Sequence, residues 1–181
     1  MDINTPLEEA EGNYCHEIEH WELVFKGFDW QIVLVGKYPF MEEWLNLCNC
    51  LNSTFSDLII DRKLESLGFN QEHWKCMEYN LINEYLNSVA INNHLNPPWS
   101  LNLAIRVCFL HYSLEKQQTK EIEMLLNERF PKVYYIATRI IEESQKIGFN
   151  TPEKYRLLLK DLISRLGIGS KVLLQRVQIS S

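Results

Sequence analysis

Apolar residues recur at helical spacing along most of the chain. In residues 5–25 the steps of three and four residues place the apolar side chains on one face of a helix. That face consists of Leu7, Ala10, Tyr14, Ile18, Trp21 and Phe25. Thr5 and Glu8 form a capping box at its start, and Gly27 is a natural stop at its end. We therefore predict an amphipathic first helix whose apolar face lies on the core.

Three further helices are predicted before residue 96. The first begins at Pro39, the second is capped by Ser53 or Ser56 and ends at Leu67, and the third is capped by Asn70. The inward residues of the first are Phe40, Trp44, Leu47, Cys48 and Leu51, and the apolar positions of the third are Trp74, Met77, Leu81, Tyr85 and Val89. The pair Pro97-Pro98 then breaks the chain.

Residues 100–114 are apolar on nearly every side. A helix that is hydrophobic all round is buried, so we predict that this one is the central helix. Amphipathic helices follow at 119–130, 131–147 and 150–166. Residues 29–36 are short and β-branched, which is typical of either a strand or a buried helical turn. If they form a strand, they pair with residues 171–179 in a two-stranded ribbon.

These elements predict an all-α fold. We expect one irregular bundle of about seven to nine helices in a single domain, residues 1–181, with the short ribbon as an optional addition. The chain has 181 residues, of which 46% are hydrophobic, and this composition excludes intrinsic disorder for most of it.

The net charge of −6 hides an uneven distribution. Residues 131–181 carry nine basic and four acidic side chains, a net charge of +5, so residues 1–130 carry −11. The prediction is an acidic body with a basic C-terminal part. The N-terminus has no signal-peptide pattern, and the longest strongly apolar stretch lies within residues 30–35, which predicts no membrane association. Five scattered cysteines favour reduced thiols and a cytoplasmic location.

The segment His16-Glu17-Ile18-Glu19-His20 matches the H-E-x-x-H pattern. It resembles the zincin metalloproteases, in which the two histidines bind zinc and the glutamate polarises water. However, His16 and His20 lie opposite the apolar face of the predicted helix. We therefore expect an exposed pair that lacks a third ligand and binds metal only adventitiously, and we predict no dedicated metal site and no cofactor.

The segment from Arg106 to His111 resembles the R-x4-H signature of the HEPN ribonucleases. That resemblance implies an all-α, often dimeric fold in which the two side chains promote attack by an RNA 2′-hydroxyl. The alternative is a structural network, because a buried arginine and histidine need partners. We expect Arg106 to pair with a carboxylate such as Glu84.

The basic C-terminal part is a candidate binding surface. Residues 166–173 resemble the turn and second helix of Fis-like helix-turn-helix proteins, which implies that Lys171, Gln175 and Arg176 face DNA bases or phosphates. The other candidate contacts are Lys154, Arg156, Lys160 and Arg165. The alternatives are a C-terminal helix with a solvated basic face and a helix that docks on the acidic surface of a partner.

No nucleotide-binding glycine loop, nucleophile elbow or paired-carboxylate motif suggests catalysis. The leading hypothesis is a non-enzymatic helical interaction module, an adaptor, regulator or subunit of an assembly, which binds a protein partner or self-associates. Charge asymmetry and aromatic content favour it. Trp99, after two prolines, is the candidate exposed anchor, and the alternative is a residue at the helix start that packs on the core. Nucleic-acid binding and HEPN-like RNA cleavage are the alternatives.

Overall fold

A computed structural model describes residues 7–69, 72–88 and 96–177, with the backbone alone for residues 7–10, 73 and 74. The described chain forms seven helices and two strands. In order they are α1 Leu7–Phe25, β1 Trp30–Leu34, α2 Met41–Ser66, α3 Glu72–Ser88, α4 Trp99–Ser113, α5 Lys116–Arg129, α6 Pro131–Ile147, α7 Pro152–Arg165 and β2 Val172–Arg176. The all-α prediction with one short ribbon is confirmed.

The central position of α4 is also confirmed. It packs against α2, α3, α5 and α6, and its buried side chains include Leu101, Ile105, Cys108 and Leu110. One continuous hydrophobic core runs from β1 through α2 and α4 to α7 and β2. Elements of the acidic body and of the basic C-terminal part therefore share this core.

β1 and β2 form the predicted two-stranded ribbon, and the structure shows that the two strands are antiparallel. Trp30 lies opposite Arg176, and Leu34 lies opposite Val172. The second helix implied by the helix-turn-helix resemblance is therefore wrong, because residues 172–176 are a strand. Val172 is buried in the core, and backbone hydrogen bonds pair this segment with β1.

Residues 41–66 form one continuous helix, not the two that were predicted. Ser53 and Ser56 do not cap a helix start, because both lie in the middle of α2. The Ser56 hydroxyl donates to the carbonyl oxygens of Asn52 and Ser53 in the preceding turn. Phe40 does not face inward. It adopts a left-handed backbone conformation just before α2, and its exposed ring packs edge-on against Trp99.

The predicted core face of α1 is wrong. Its apolar stripe, Tyr14, Ile18, Trp21 and Phe25, points to solvent, and the opposite face packs on α2. The reason lies on α2, which presents Asp57, Asp61 and Lys63 toward α1. Charged groups at a helix interface need partners, and α1 supplies them through its histidines and glutamates. Among the side chains of α1 that the structure describes, Leu23 is the buried hydrophobic one at this contact.

α3 is rotated in a similar way from its predicted orientation. It buries Ile82 and Leu86, whereas Met77, Leu81 and Tyr85 are exposed. The predicted caps at Thr5 and Asn70, the position Val89 and the side chains of Leu7, Ala10 and Trp74 lie outside the described residues. Among the helices that the structure describes, none combines the length and apolar character that crossing a bilayer requires.

Candidate functional site

A pocket of about 370 Å³ lies where α1, α2, α3 and α4 meet. α1 contributes His16 and Glu17, and α2 contributes Cys50, Asp57 and Asp61. α3 contributes Glu78 and α4 contributes Arg106 to the facing wall. The pocket thus gathers acidic, basic and imidazole side chains from four elements that the tertiary fold brings together.

The histidine pair of the H-E-x-x-H motif faces α2. Nε2 of His16 lies 3.7 Å from Oδ1 of Asp57, and Nε2 of His20 lies 3.3 Å from the same oxygen. On its other side, Nδ1 of His16 lies 3.4 Å from Oδ1 of Asp61. The expectation that this pair is solvent-exposed and lacks a third candidate ligand is therefore wrong. Both rings are half-buried, and their centroids lie 4.9 Å apart.

The two aspartates control the charge of the cluster. Burial by itself lowers the pKa of His16, but its interactions with Asp57 and Asp61 outweigh this effect and raise the pKa to about 9. Burial raises the pKa of Asp57, but the contacts with His16 and His20 outweigh it and lower the pKa overall. The cluster therefore favours positive charge between two carboxylates.

The facing wall holds a second ion pair. Nε of Arg106 lies 3.2 Å from Oε1 of Glu78, so its partner is Glu78 and not the predicted Glu84. Burial raises the pKa of Glu78, and Arg106 opposes that shift. The nearby thiol of Cys50 donates to Oδ1 of Asn102, and burial raises its pKa, so it stays protonated at neutral pH.

The structure does not bring Arg106 and His111 together. Arg106 lines the pocket beside α3, whereas Nδ1 of His111 lies 3.1 Å from Oε1 of Glu123 on α5. Five residues along a helix correspond to about 140° of rotation, so the two side chains leave α4 in different directions. Each has a carboxylate partner, as the structural-network interpretation requires.

The basic candidates lie on α7 and along the ribbon, where several contact aromatic rings. The guanidinium groups of Arg156 and Arg176 lie 4.7 and 5.4 Å from the centroid of the Trp30 ring. The ammonium group of Lys171 lies 4.0 Å from the centroid of the Tyr38 ring. Arg165 pairs with Asp161 and Glu143. Lys154, Lys160 and Gln175 are exposed. Four of the basic candidates therefore contact other residues of the same chain, namely Arg156, Arg165, Lys171 and Arg176.

The exposed face of α1 is the second candidate site. Relative exposures are 62% for Tyr14, 47% for Ile18, 60% for Trp21 and 75% for Phe25. These residues follow one another at steps of four, three and four along one helix. Trp99, the anchor expected from the sequence, is less exposed at 36% and packs against Phe40. It lines a groove that is formed by α2, α3 and α4.

Comparison with family models, with curated proteins and with solved structures finds no match to this chain. Sequence reasoning missed Asp57 and Asp61, which complete the histidine cluster. Their signal was present, because both aspartates occur among Phe55, Leu58, Ile60 and Leu64, in a segment that is otherwise suited to burial. Buried carboxylates need nearby cations.

Proposed function

We propose that this chain is a non-enzymatic interaction module, an adaptor, regulator or subunit of an assembly, whose α1 face binds a protein partner. The observation that carries the proposal is the exposed stripe of Tyr14, Ile18, Trp21 and Phe25. Their spacing is that of a helical face which packs against another helix. Aromatic residues, tryptophan above all, are the side chains that most often dominate binding energy.

The charge around the stripe selects the partner. Residues 11–25 carry four glutamates; Glu19 and Glu22 pair with Lys63, whereas Glu11 and Glu17 are exposed acidic groups. A second copy of α1 would bring like charges together, and an anionic membrane surface would be repelled in the same way. The face therefore fits an amphipathic helix of another protein that has an apolar stripe flanked by lysine and arginine.

The test is selection from a library of displayed helical peptides against the immobilised full chain. We expect selected peptides to have apolar residues at helical spacing and a net positive charge. Trp21→Ala should weaken their binding by at least about tenfold, the loss typical of an anchor residue. Tyr135→Ala, which removes an exposed aromatic residue of α6, is the matched control and should leave binding unchanged.

Three results would overturn this proposal. Peptides could bind the Trp21→Ala variant as tightly as the wild type, which would place their site elsewhere. Sedimentation could show a dimer that Trp21→Ala abolishes, which would make a second copy the occupant of the face. Anionic vesicles could bind the wild type but not the variant, which would make the face a membrane contact.

The other functions expected from the sequence stay predictions with less support. The hypothesis of nucleic-acid binding has less support, because residues 172–176, which were expected in the recognition helix, form a strand. A mobility shift that weakens with salt would favour it, because phosphate contacts release counterions. HEPN-like cleavage requires Arg106 and His111 to act jointly, and each is paired with a different helix. RNA cleavage that is abolished by His111→Ala would favour it.

We also propose a cytoplasmic location. All five cysteines lie in the described residues, and none forms a disulfide. Cys48 and Cys108 are buried in the core, where burial raises the pKa of Cys48 to about 11 and that of Cys108 to about 12. Such unpaired thiols are typical of a reducing compartment. Fractionation of the native host's cells with an antibody against the chain would test the location.

A further inference from the structure

Three candidate ligand atoms converge between α1 and α2. His16 and His20 stand one helical turn apart on α1, and Asp57 faces them from α2. One nitrogen or oxygen from each of the three residues lies within 4.8 Å of the other two. Two imidazoles and one carboxylate are a ligand set that first-row transition metals accept, whereas Ca²⁺ and Mg²⁺ prefer all-oxygen sites.

We propose that His16, His20 and Asp57 form a binding site for one divalent transition-metal ion of the Zn²⁺ or Co²⁺ type. Nε2 of each histidine and Oδ1 of Asp57 are the donors. Two atoms that each lie about 2.1 Å from one zinc ion are about 3.4 Å apart in tetrahedral geometry. The observed separations of 3.3 and 3.7 Å between the ring nitrogens and Oδ1 are close to that value.

The unsatisfied side-chain oxygen of Asp57 is a further observation in favour of an ion. Its Oδ1 atom is buried and has no hydrogen-bond partner among the described residues, although two imidazole nitrogens lie close to it. Buried side-chain oxygens are nearly always hydrogen-bonded or coordinated. A cation placed between Oδ1 and the two Nε2 atoms would satisfy this oxygen and both rings at once.

Asp61 contacts the ring nitrogen of His16 that faces away from Asp57. Its Oδ1 lies 3.4 Å from Nδ1 of His16, and Asp61 itself is buried. Histidine ligands commonly donate their second ring N–H to a carboxylate, which fixes the ring and directs the other nitrogen to the metal. With neutral imidazoles, the two aspartates give the cluster a charge of −2, which a divalent ion neutralises.

The site opens on the pocket between α1, α2, α3 and α4. His16 and Asp57 line this pocket together with Glu17, the central glutamate of the H-E-x-x-H motif. A three-residue ligand set leaves at least one coordination position for water or another ligand. The alternative without a metal is an ion cluster in which protonated histidines alone neutralise the aspartates, and the experiment must separate these two states.

The test uses the full chain without a polyhistidine tag, dialysed free of metal and titrated with Co²⁺ and Zn²⁺. We expect visible d–d absorption that saturates at one equivalent of Co²⁺ and is displaced by Zn²⁺. His20→Gln and Asp57→Asn should each weaken binding by at least about 100-fold, and Asp61→Asn by about 10- to 100-fold. His111→Ala is the matched control, since it removes an imidazole paired with Glu123 outside the cluster.

Thermal melts keep the test independent of folding defects. Zn²⁺ should raise the Tm of the wild type and of His111→Ala, because an ion that binds only the folded state stabilises it. It should leave the Tm of His20→Gln unchanged, and His20 is exposed enough for this variant to fold if Asp57→Asn does not. Absence of the absorption, or equal affinity of wild type and His20→Gln, would overturn the proposal and leave the ion cluster as the explanation.

Discussion

Asn52 bonds to the backbone of β1 through both ends of its carboxamide. Its Nδ2 donates to the carbonyl of Ile32 at 2.9 Å, and its Oδ1 accepts from the Ile32 N–H at 2.6 Å. The backbone carbonyl of Asn52 accepts a hydrogen bond from the buried Tyr155 hydroxyl of α7 at 3.0 Å. One residue therefore connects β1, α2 and α7.

Asn52→Ala should destabilise the fold by about 2–4 kcal/mol, since it leaves two backbone groups of the buried Ile32 without their partners. Urea denaturation followed by circular dichroism measures the change. Asn46→Ala, at an exposed position of the same helix, is the control and should change the free energy of unfolding by less than about 0.5 kcal/mol. Equal stability of the two variants would refute the assigned role of Asn52.

At the scale of elements, α1 is attached by polar contacts. Nζ of Lys63 donates to Glu19 at 2.6 Å and to Glu22 at 2.8 Å, near the histidine–aspartate cluster. Periodicity identified the helix and its apolar face correctly, but it could not show which face is buried. That choice depended on residues 57–63, which lie more than thirty positions away along the chain.

Lys63→Ala should loosen α1 while the rest of the bundle stays folded. We expect faster hydrogen–deuterium exchange of the amides in residues 11–25 and unchanged exchange in α4, because local opening follows local contacts. Lys132→Ala, at an exposed position of α6, is the control. Unchanged protection of α1 in Lys63→Ala would show that Leu23 and the histidine–aspartate cluster suffice to hold the helix.

At the scale of the whole molecule, α4 organises the core. Ile105 is fully buried on the helix that contacts α2, α3, α5 and α6. The all-round hydrophobicity of α4 was visible in the sequence, and it correctly predicted the central position of this helix. The charge difference between the acidic body and the basic C-terminal part was visible as well. The contacts of the basic groups could not be predicted from the sequence, since Arg156 and Arg176 pack on Trp30, which lies more than 120 residues earlier in the chain.

Ile105→Ala should destabilise the whole bundle, by about 2–5 kcal/mol, because it leaves a cavity at the helix that joins four others. Urea unfolding should remain a single transition when it is followed by tryptophan fluorescence and by circular dichroism. Met124→Ala removes an exposed side chain of α5 and should have almost no effect. Two separate transitions in Ile105→Ala would contradict a single cooperative core.

The sequence by itself determined most of the helices, although it divided α2 in two, together with the central position of α4 and the option of a ribbon. Spacing, caps and β-branched runs act locally. It also supplied the H-E-x-x-H motif. Only the tertiary structure decided which face of α1 is buried and that Asp57 and Asp61 meet His16 and His20. The physical reason is that a buried charge has to find its counter-charge in space. No local rule fixes which distant residue will supply it.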